Sequence, residues 1–250
     1  METAEHIAAL HDAGVRLAAA AARAGLDAPV PTCPGWSVRD LLGHLGGVHR
    51  WAAAHVAGAR TEPFTDEEEA GFFTAPDGDG LLGWFREGHA ALVGTLKGAD
   101  PDVECWTFLR APSPLAFWAR RQAHETAVHL ADAQAAAGDG PPSFDPAFAA
   151  DGVDELFGGF LPRRRGRLVS DPPVSLAVRA TDHPTAWTIR VEPERRVVTP
   201  GVREADCVVS GPAAELYLML WNRGSADRLD VRGDRSLLDL WRERALITWS

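Results

Sequence analysis

The stretch Ala111–Ala137 constrains this chain more than any other, because it is long, alanine-rich and carries Glu125, His129 and Asp132 at i, i+4 and i+7. At about 100° per residue these three lie within roughly 60° of one another, so they form one polar line along a helical rod. A carboxylate and an imidazole one turn apart can reach a common metal ion, and an acid one turn further on can orient a ligand or move a proton. His124 is outside this set. It lies five residues from His129, about 140° round the helix, so His124-Glu125-Thr126-Ala127-Val128-His129 is not the His-Glu-x-x-His pattern of metalloproteases. Two ligands make a poor site, and the line read alone is equally a hydrogen-bonded helix face. A metal reading needs a third ligand from elsewhere in the chain.

Three more helices precede this one. Residues 3–25 repeat apolar positions at helical spacing (Ile7, Leu10, Leu17, Ala21) and stop at Gly25; Gly14 falls on the same line, at a cost of about 1 kcal/mol relative to alanine. A rigid turn, Pro31-Thr32-Cys33-Pro34-Gly35-Trp36, leads into a second helix. Ser37 and Asp40 fit a capping pattern there, and Leu41, His44, Leu45 and Val48 line its apolar side. Residues 60–80 are acidic and rich in Gly and Pro, which predicts a mobile loop, and a third helix is expected over Leu81–Leu96 with His89 on its inner stripe. Four helices with one long crossover fit a bundle, whose interior commonly houses metal sites.

At Gly138-Asp139-Gly140-Pro141-Pro142 the pattern changes and marks a linker. Beyond it we expect a short helix (Pro146–Phe157), a basic loop (Arg163–Arg167) and four period-two strands: Ser175–Ala180, Trp187–Val191, Arg196–Thr199 and Asp206–Ser210. A helix over Pro212–Asn222, a short strand at Leu229–Val231 and a closing helix over Ser236–Ala245 complete a small α+β domain. The expected fold is therefore mixed, a four-helix bundle over residues 1–140 followed by an α+β domain over residues 141–250.

Charge narrows the partners. Residues 1–140 carry 19 Asp+Glu against 10 Lys+Arg, and residues 141–250 carry 16 against 15. An acidic N-terminal half is unsuited to wrapping a phosphate backbone, so no nucleic acid is expected. No apolar run reaches the ~20 residues that span a bilayer, and the N-terminus has acids where a signal peptide has bases, which predicts a cytoplasmic protein with no membrane partner. Cys33, Cys105 and Cys207 are scattered and odd in number, which argues against a disulfide framework or a Cys-rich zinc module. A monomer or homodimer is expected.

Among nine histidines, His6, His11, His55 and His183 read as surface residues, His89 as a hydrogen-bonded core residue, and His49 as belonging to a different face from His44. His44 is the best third ligand. It falls between Leu41 and Leu45 on the buried side of a well-capped helix, where an unpartnered imidazole would be costly.

Thr32-Cys33-Pro34-Gly35-Trp36-Ser37-Val38-Arg39-Asp40-Leu41-Leu42-Gly43-His44-Leu45, followed about 80 residues later by Arg121–Asp132, resembles the mycothiol-dependent maleylpyruvate isomerase family, part of the wider group of DinB-like metal-binding helical bundles. The resemblance implies a ligand triad of His44, Glu125 and His129, with Asp132 as the acid that follows. It continues through Leu216–Arg223 and Val231–Asp234, which are similar to the family's sterol-carrier-protein-like C-terminal domain and imply a catalytic role for Arg223.

Two histidines and one glutamate leave zinc an open position, the arrangement of catalytic zinc, although iron, nickel or manganese suit related sets. A thiol entering that position would lose its proton. The expected cofactors are thus a divalent metal, zinc first, and mycothiol or a similar low-molecular-weight thiol. The expected substrate is a small electrophile. An isomerase would add the thiolate to an activated alkene, rotate the resulting single bond and eliminate; an S-transferase would release the adduct. Asp132 could orient a ligand imidazole, accept a hydrogen bond from the thiol cofactor or shuttle a proton, and Arg223 could hold a substrate carboxylate. A metal-dependent hydrolase and a non-enzymatic small-ligand-binding module are the alternatives on the same fold.

Overall fold

The computed structural model describes residues 1–162 and 167–247. By internal contacts the chain divides into two compact units, Met1–Pro142 and Ser143–Ser250.

The first unit is helical: α1 (Thr3–Ala24), α2 (Val38–Ala57), α3 (Asp66–Phe72), α4 (Leu81–Gly98) and α5 (Pro114–Ala136). Its helices start where the sequence supplies caps. The Ser37 hydroxyl accepts from the Asp40 N–H at the head of α2 while the Asp40 carboxylate accepts from the Ser37 N–H. At α5 the Ser113 hydroxyl accepts from the Ala116 N–H and Pro114 occupies the first turn, where its missing N–H does no harm. The four long helices pack with α1 along α5 and α2 along α4. Their shared core includes Leu10, Leu17, Leu41, Leu42, Leu45, Phe85, Leu92 and Trp118, all fully buried.

Small residues let these helices approach. A Cβ on Gly46 would lie 2.2 Å from the Trp84 ring, and one on Gly88 would lie 2.2 Å from Arg50 Nη1. Trp84 and Arg50 therefore fill reciprocal notches. The Arg50 guanidinium lies 3.8 Å from the Trp84 ring centroid and donates to the carbonyls of Gly46 and Trp84. Gly14 does the same for α1 and α4. His89 fills the space its side chain would need and is hydrogen-bonded to the Leu10 carbonyl through Nε2 at 3.1 Å.

Residues 60–80, expected as a mobile loop, contain a helix instead. Thr65 caps α3 in a box with Glu68, the acids of the first turn favour the positive helix end, and Trp51 Nε1 donates to Glu69 at 3.0 Å. None of the α3 residues is buried, which is why hydrophobic periodicity gave no sign of it. Two histidines expected at the surface are also inside. His6 is buried, and His55 is fully buried among Trp51, Phe64, Trp106 and Trp118, with ring centroids 4.5–5.2 Å away. His55 sits near the end of α2, but aromatic residues distant in sequence converge on it.

The second unit holds α6 (Pro146–Glu155), which continues into a π-helical turn at Leu156–Phe160. A five-stranded sheet follows, made of β1 (Val174–Ala180), β2 (Ala186–Val191), β3 (Arg196–Pro200), β4 (Cys207–Gly211) and β5 (Asp230–Gly233) in the order β3-β2-β1-β4-β5. Only β1 and β4 pair in parallel, with Val178 opposite Val209; the other pairs are antiparallel. α7 (Ala213–Leu220) packs on α6 and on β1 and β4, and α8 (Ser236–Arg244) is tied to it by Trp241 Nε1 donating to the Leu220 carbonyl. Arg163–Gly166, most of the expected basic loop, lie outside the described residues. The mixed architecture, a helical bundle followed by a small α+β unit, is the one expected. No helix among the described residues is long and apolar enough to cross a membrane.

Candidate metal centre

α5 is buried around nearly its whole circumference, polar residues included: Glu125 is 5% exposed, His129 7% and Asp132 0%. α2 brings His44 against them. One ligand atom from each of His44, Glu125 and His129 lies within 4.8 Å of the others. Glu125 Oε1 is 3.5 Å from His44 Nε2 and 3.3 Å from His129 Nε2. The second atoms of Glu125 and His129 are committed. Glu125 Oε2 accepts from Arg121 Nη2 at 2.7 Å, and His129 Nδ1 meets Asp132 Oδ2 at 2.7 Å.

A carboxylate facing His129 Nδ1 keeps a proton on that nitrogen, so Nε2 is the atom left to a metal once its own proton is displaced. Facing it, Glu125 Oε1 is a buried oxygen with no hydrogen-bond partner among the described residues. Two such atoms 3.3 Å apart in a buried site call for a cation between them, a proton on the ring in the metal-free chain or a metal ion in its place. The spacing suits zinc, since ligands held at ~2.0–2.2 Å in tetrahedral geometry are themselves roughly 3.4 Å apart. The donor set and the unsatisfied oxygen therefore fit a divalent ion. Burial works against the charge on Glu125, but the His129 and His44 rings and the Arg121 guanidinium hold its carboxyl well below the usual carboxylate range. Burial likewise disfavours a charged His129, yet Asp132 and Glu125 outweigh it and raise the imidazole to about 9.

The turn before α2 completes the surroundings. Trp36 lies 6.2 Å from the His129 ring at an interplanar angle of 14° and 5.2 Å from His44, and Phe73 lies 6.3 Å from His44. Trp36 and Gly43 also line an open hollow of about 510 Å³ together with Arg39, Asp40 and Asp77, room for a small ligand. Asp132 accepts from Thr32 Oγ1 at 2.5 Å and from Cys33 Sγ at 3.4 Å.

His44, Glu125, His129 and Asp132 thus come together. His124 and His49 are buried elsewhere in the bundle, His124 against His6 and His49 on Thr126 Oγ1 at 2.9 Å. Arg223 belongs to the second unit, just beyond α7, where its N–H donates to the Leu218 carbonyl and its Nη1 to the Trp221 carbonyl. Sequence reasoning overlooked Arg121, although its i, i+4 relation to Glu125 was available, and it assigned no site role to Thr32, Cys33 or Trp36.

Residues 7–134 match the family model described as the mycothiol maleylpyruvate isomerase N-terminal domain. The chain belongs to this family. Residues 147–240 match its companion, the MDMPI C-terminal domain. Two solved structures share the fold, one of the mycothiol-dependent maleylpyruvate isomerase and one of a variant with a histidine replaced by alanine. Their TM-scores are 0.62 and 0.64, each at 15% identity over 92% of this chain and 93% of theirs. No curated protein matches the sequence.

Proposed function

We propose that this member of the family is a metal- and thiol-dependent enzyme, an isomerase or S-transferase of small electrophiles, with mycothiol or a similar low-molecular-weight thiol as cofactor. The observation that carries the reading is Glu125 Oε1, buried, without a hydrogen-bond partner among the described residues and faced by two imidazole Nε2 atoms. A divalent ion there, zinc by preference, would lower the pKa of a coordinating thiol and make it a nucleophile at neutral pH.

The chain's own residues then have separate tasks. His44, Glu125 and His129 hold the ion, and a single ligand charge leaves the centre net positive and suited to an anionic sulfur. Arg121 holds Glu125 Oε2, which aims Oε1 inward. Asp132 keeps the His129 proton on Nδ1, so that it acts as a positioning residue behind the ligand. Trp36 and Phe73 flank His44 and give its ring aromatic neighbours. Arg223, carried over from the family resemblance, is the candidate for a substrate carboxylate.

Elemental analysis and a thiol-dependence assay on the same preparation test this reading. About one divalent ion per chain is expected, lost in His44→Ala, with turnover of maleylpyruvate or a related electrophile that requires added thiol. Arg223→Ala should keep the ion and slow turnover. Turnover unaffected by thiol would indicate a hydrolase, and none with any electrophile a binding module.

A further inference from the structure

We propose that Thr32 and Cys33 are positioning residues of the metal centre, acting through Asp132 to fix the tautomer and orientation of His129. The inference rests on reading His44, Glu125 and His129 as a metal site. Asp132 is fully buried, and a buried carboxylate stays charged and still only when donors surround it. His129 Nδ1 and Cys33 Sγ reach its Oδ2, at 2.7 and 3.4 Å, and the Thr32 hydroxyl reaches its Oδ1 at 2.5 Å. The two turn residues come from a place about 100 positions away in sequence, so they can pin the carboxylate without depending on the helix that carries it.

That turn is rigid for local reasons. The Val30 N–H donates to the Trp36 carbonyl, Cys33 N–H to Val30 and Trp36 N–H to Cys33. Gly35 takes φ +88°, open to glycine at little cost, and Pro31 and Pro34 restrict the rest. Val38 N–H donates to the Ala28 carbonyl and Ser37 caps α2, the helix that carries His44. One short braced segment therefore sets the start of the His44 helix and holds the carboxylate behind His129. The line Thr32–Asp132–His129 ends at the Nε2 that faces Glu125 Oε1.

The test is metal affinity by chelator competition on the full chain, with zinc as the probe. Thr32→Val keeps shape and removes the donor, and should weaken zinc about 10–100-fold, the usual effect of losing a partner behind a ligand. Thr32→Ser should restore most of the affinity, and Cys33→Ala should lose less than Thr32→Val because the thiol is the weaker donor. In an Asp132→Asn background, Thr32→Val should add less than about twofold, because both changes break the same line. Unfolding midpoints with chelator present should stay close to wild type in Thr32→Val. Full affinity in Thr32→Val, or additive losses in the double variant, would overturn the inference while leaving the metal reading intact. A wild-type chain that takes up no zinc would overturn both. Should Thr32→Val not fold, Thr32→Ala and Cys33→Ala decide: full zinc affinity in both, or losses additive with that of Asp132→Asn, would refute it.

Discussion

Glu125 has one oxygen held by Arg121 and one turned toward two imidazoles, an asymmetry that supports the proposed ligand role over a helix-surface ion pair. His55 is its counterpart among residues with no evident ligand. Its two ring nitrogens lack hydrogen-bond partners among the described residues, and burial pulls its pKa down to about 4, with Arg60 nearby contributing in both directions. The unfolded chain takes up a proton near pH 6.5 while the folded one resists until about pH 4, so stability falls as pH drops through that window and levels off below it. The loss is at most about 3 kcal/mol. His55→Phe should reduce the slope of the profile in urea unfolding between pH 4 and 7, leaving the part due to other depressed histidines such as His49 and His89. Parallel curves would show that the aromatic box does not exclude the proton. That Glu125, His129 and Asp132 share one helix face was legible from spacing alone, because one helix carries them; the addition of His44 needed a capped helix together with the family resemblance. Thr32, Cys33 and the burial of His55 were not, since each depends on residues that meet only after folding.

At the scale of elements, caps and periodicity located the long helices and most strands to within a few residues. α3 escaped because a helix with no buried residue has no apolar stripe to read; only its Thr65–Glu68 box marked it. Gly14 read as a flaw in α1, and the structure supplies the reason for it. An alanine there should gain about 1 kcal/mol of helix propensity, but its Cβ would lie 2.2 Å from His89 Nε2. Displacing a buried, hydrogen-bonded imidazole costs about 1–3 kcal/mol. Gly14→Ala should therefore destabilise the protein by about 1 kcal/mol in chemical unfolding, and a gain in stability would mean that His89 turns aside freely.

For the whole molecule, a helical unit that carries the candidate ligands and an α+β unit that carries Arg223 match the two domain models of one family. The acidic balance of residues 1–140 leaves a small centre, net positive once loaded, as the place where an anionic thiol would be drawn. The most direct measurement of that claim is the absorption spectrum of the cobalt-substituted protein titrated with mycothiol at neutral pH. A thiolate-to-cobalt charge-transfer band should grow to saturation at one thiol per chain, and it should be missing from His44→Ala under the same conditions. Full cobalt loading with no such band, in a protein that still turns over only with thiol, would contradict activation of the sulfur at His44, Glu125 and His129.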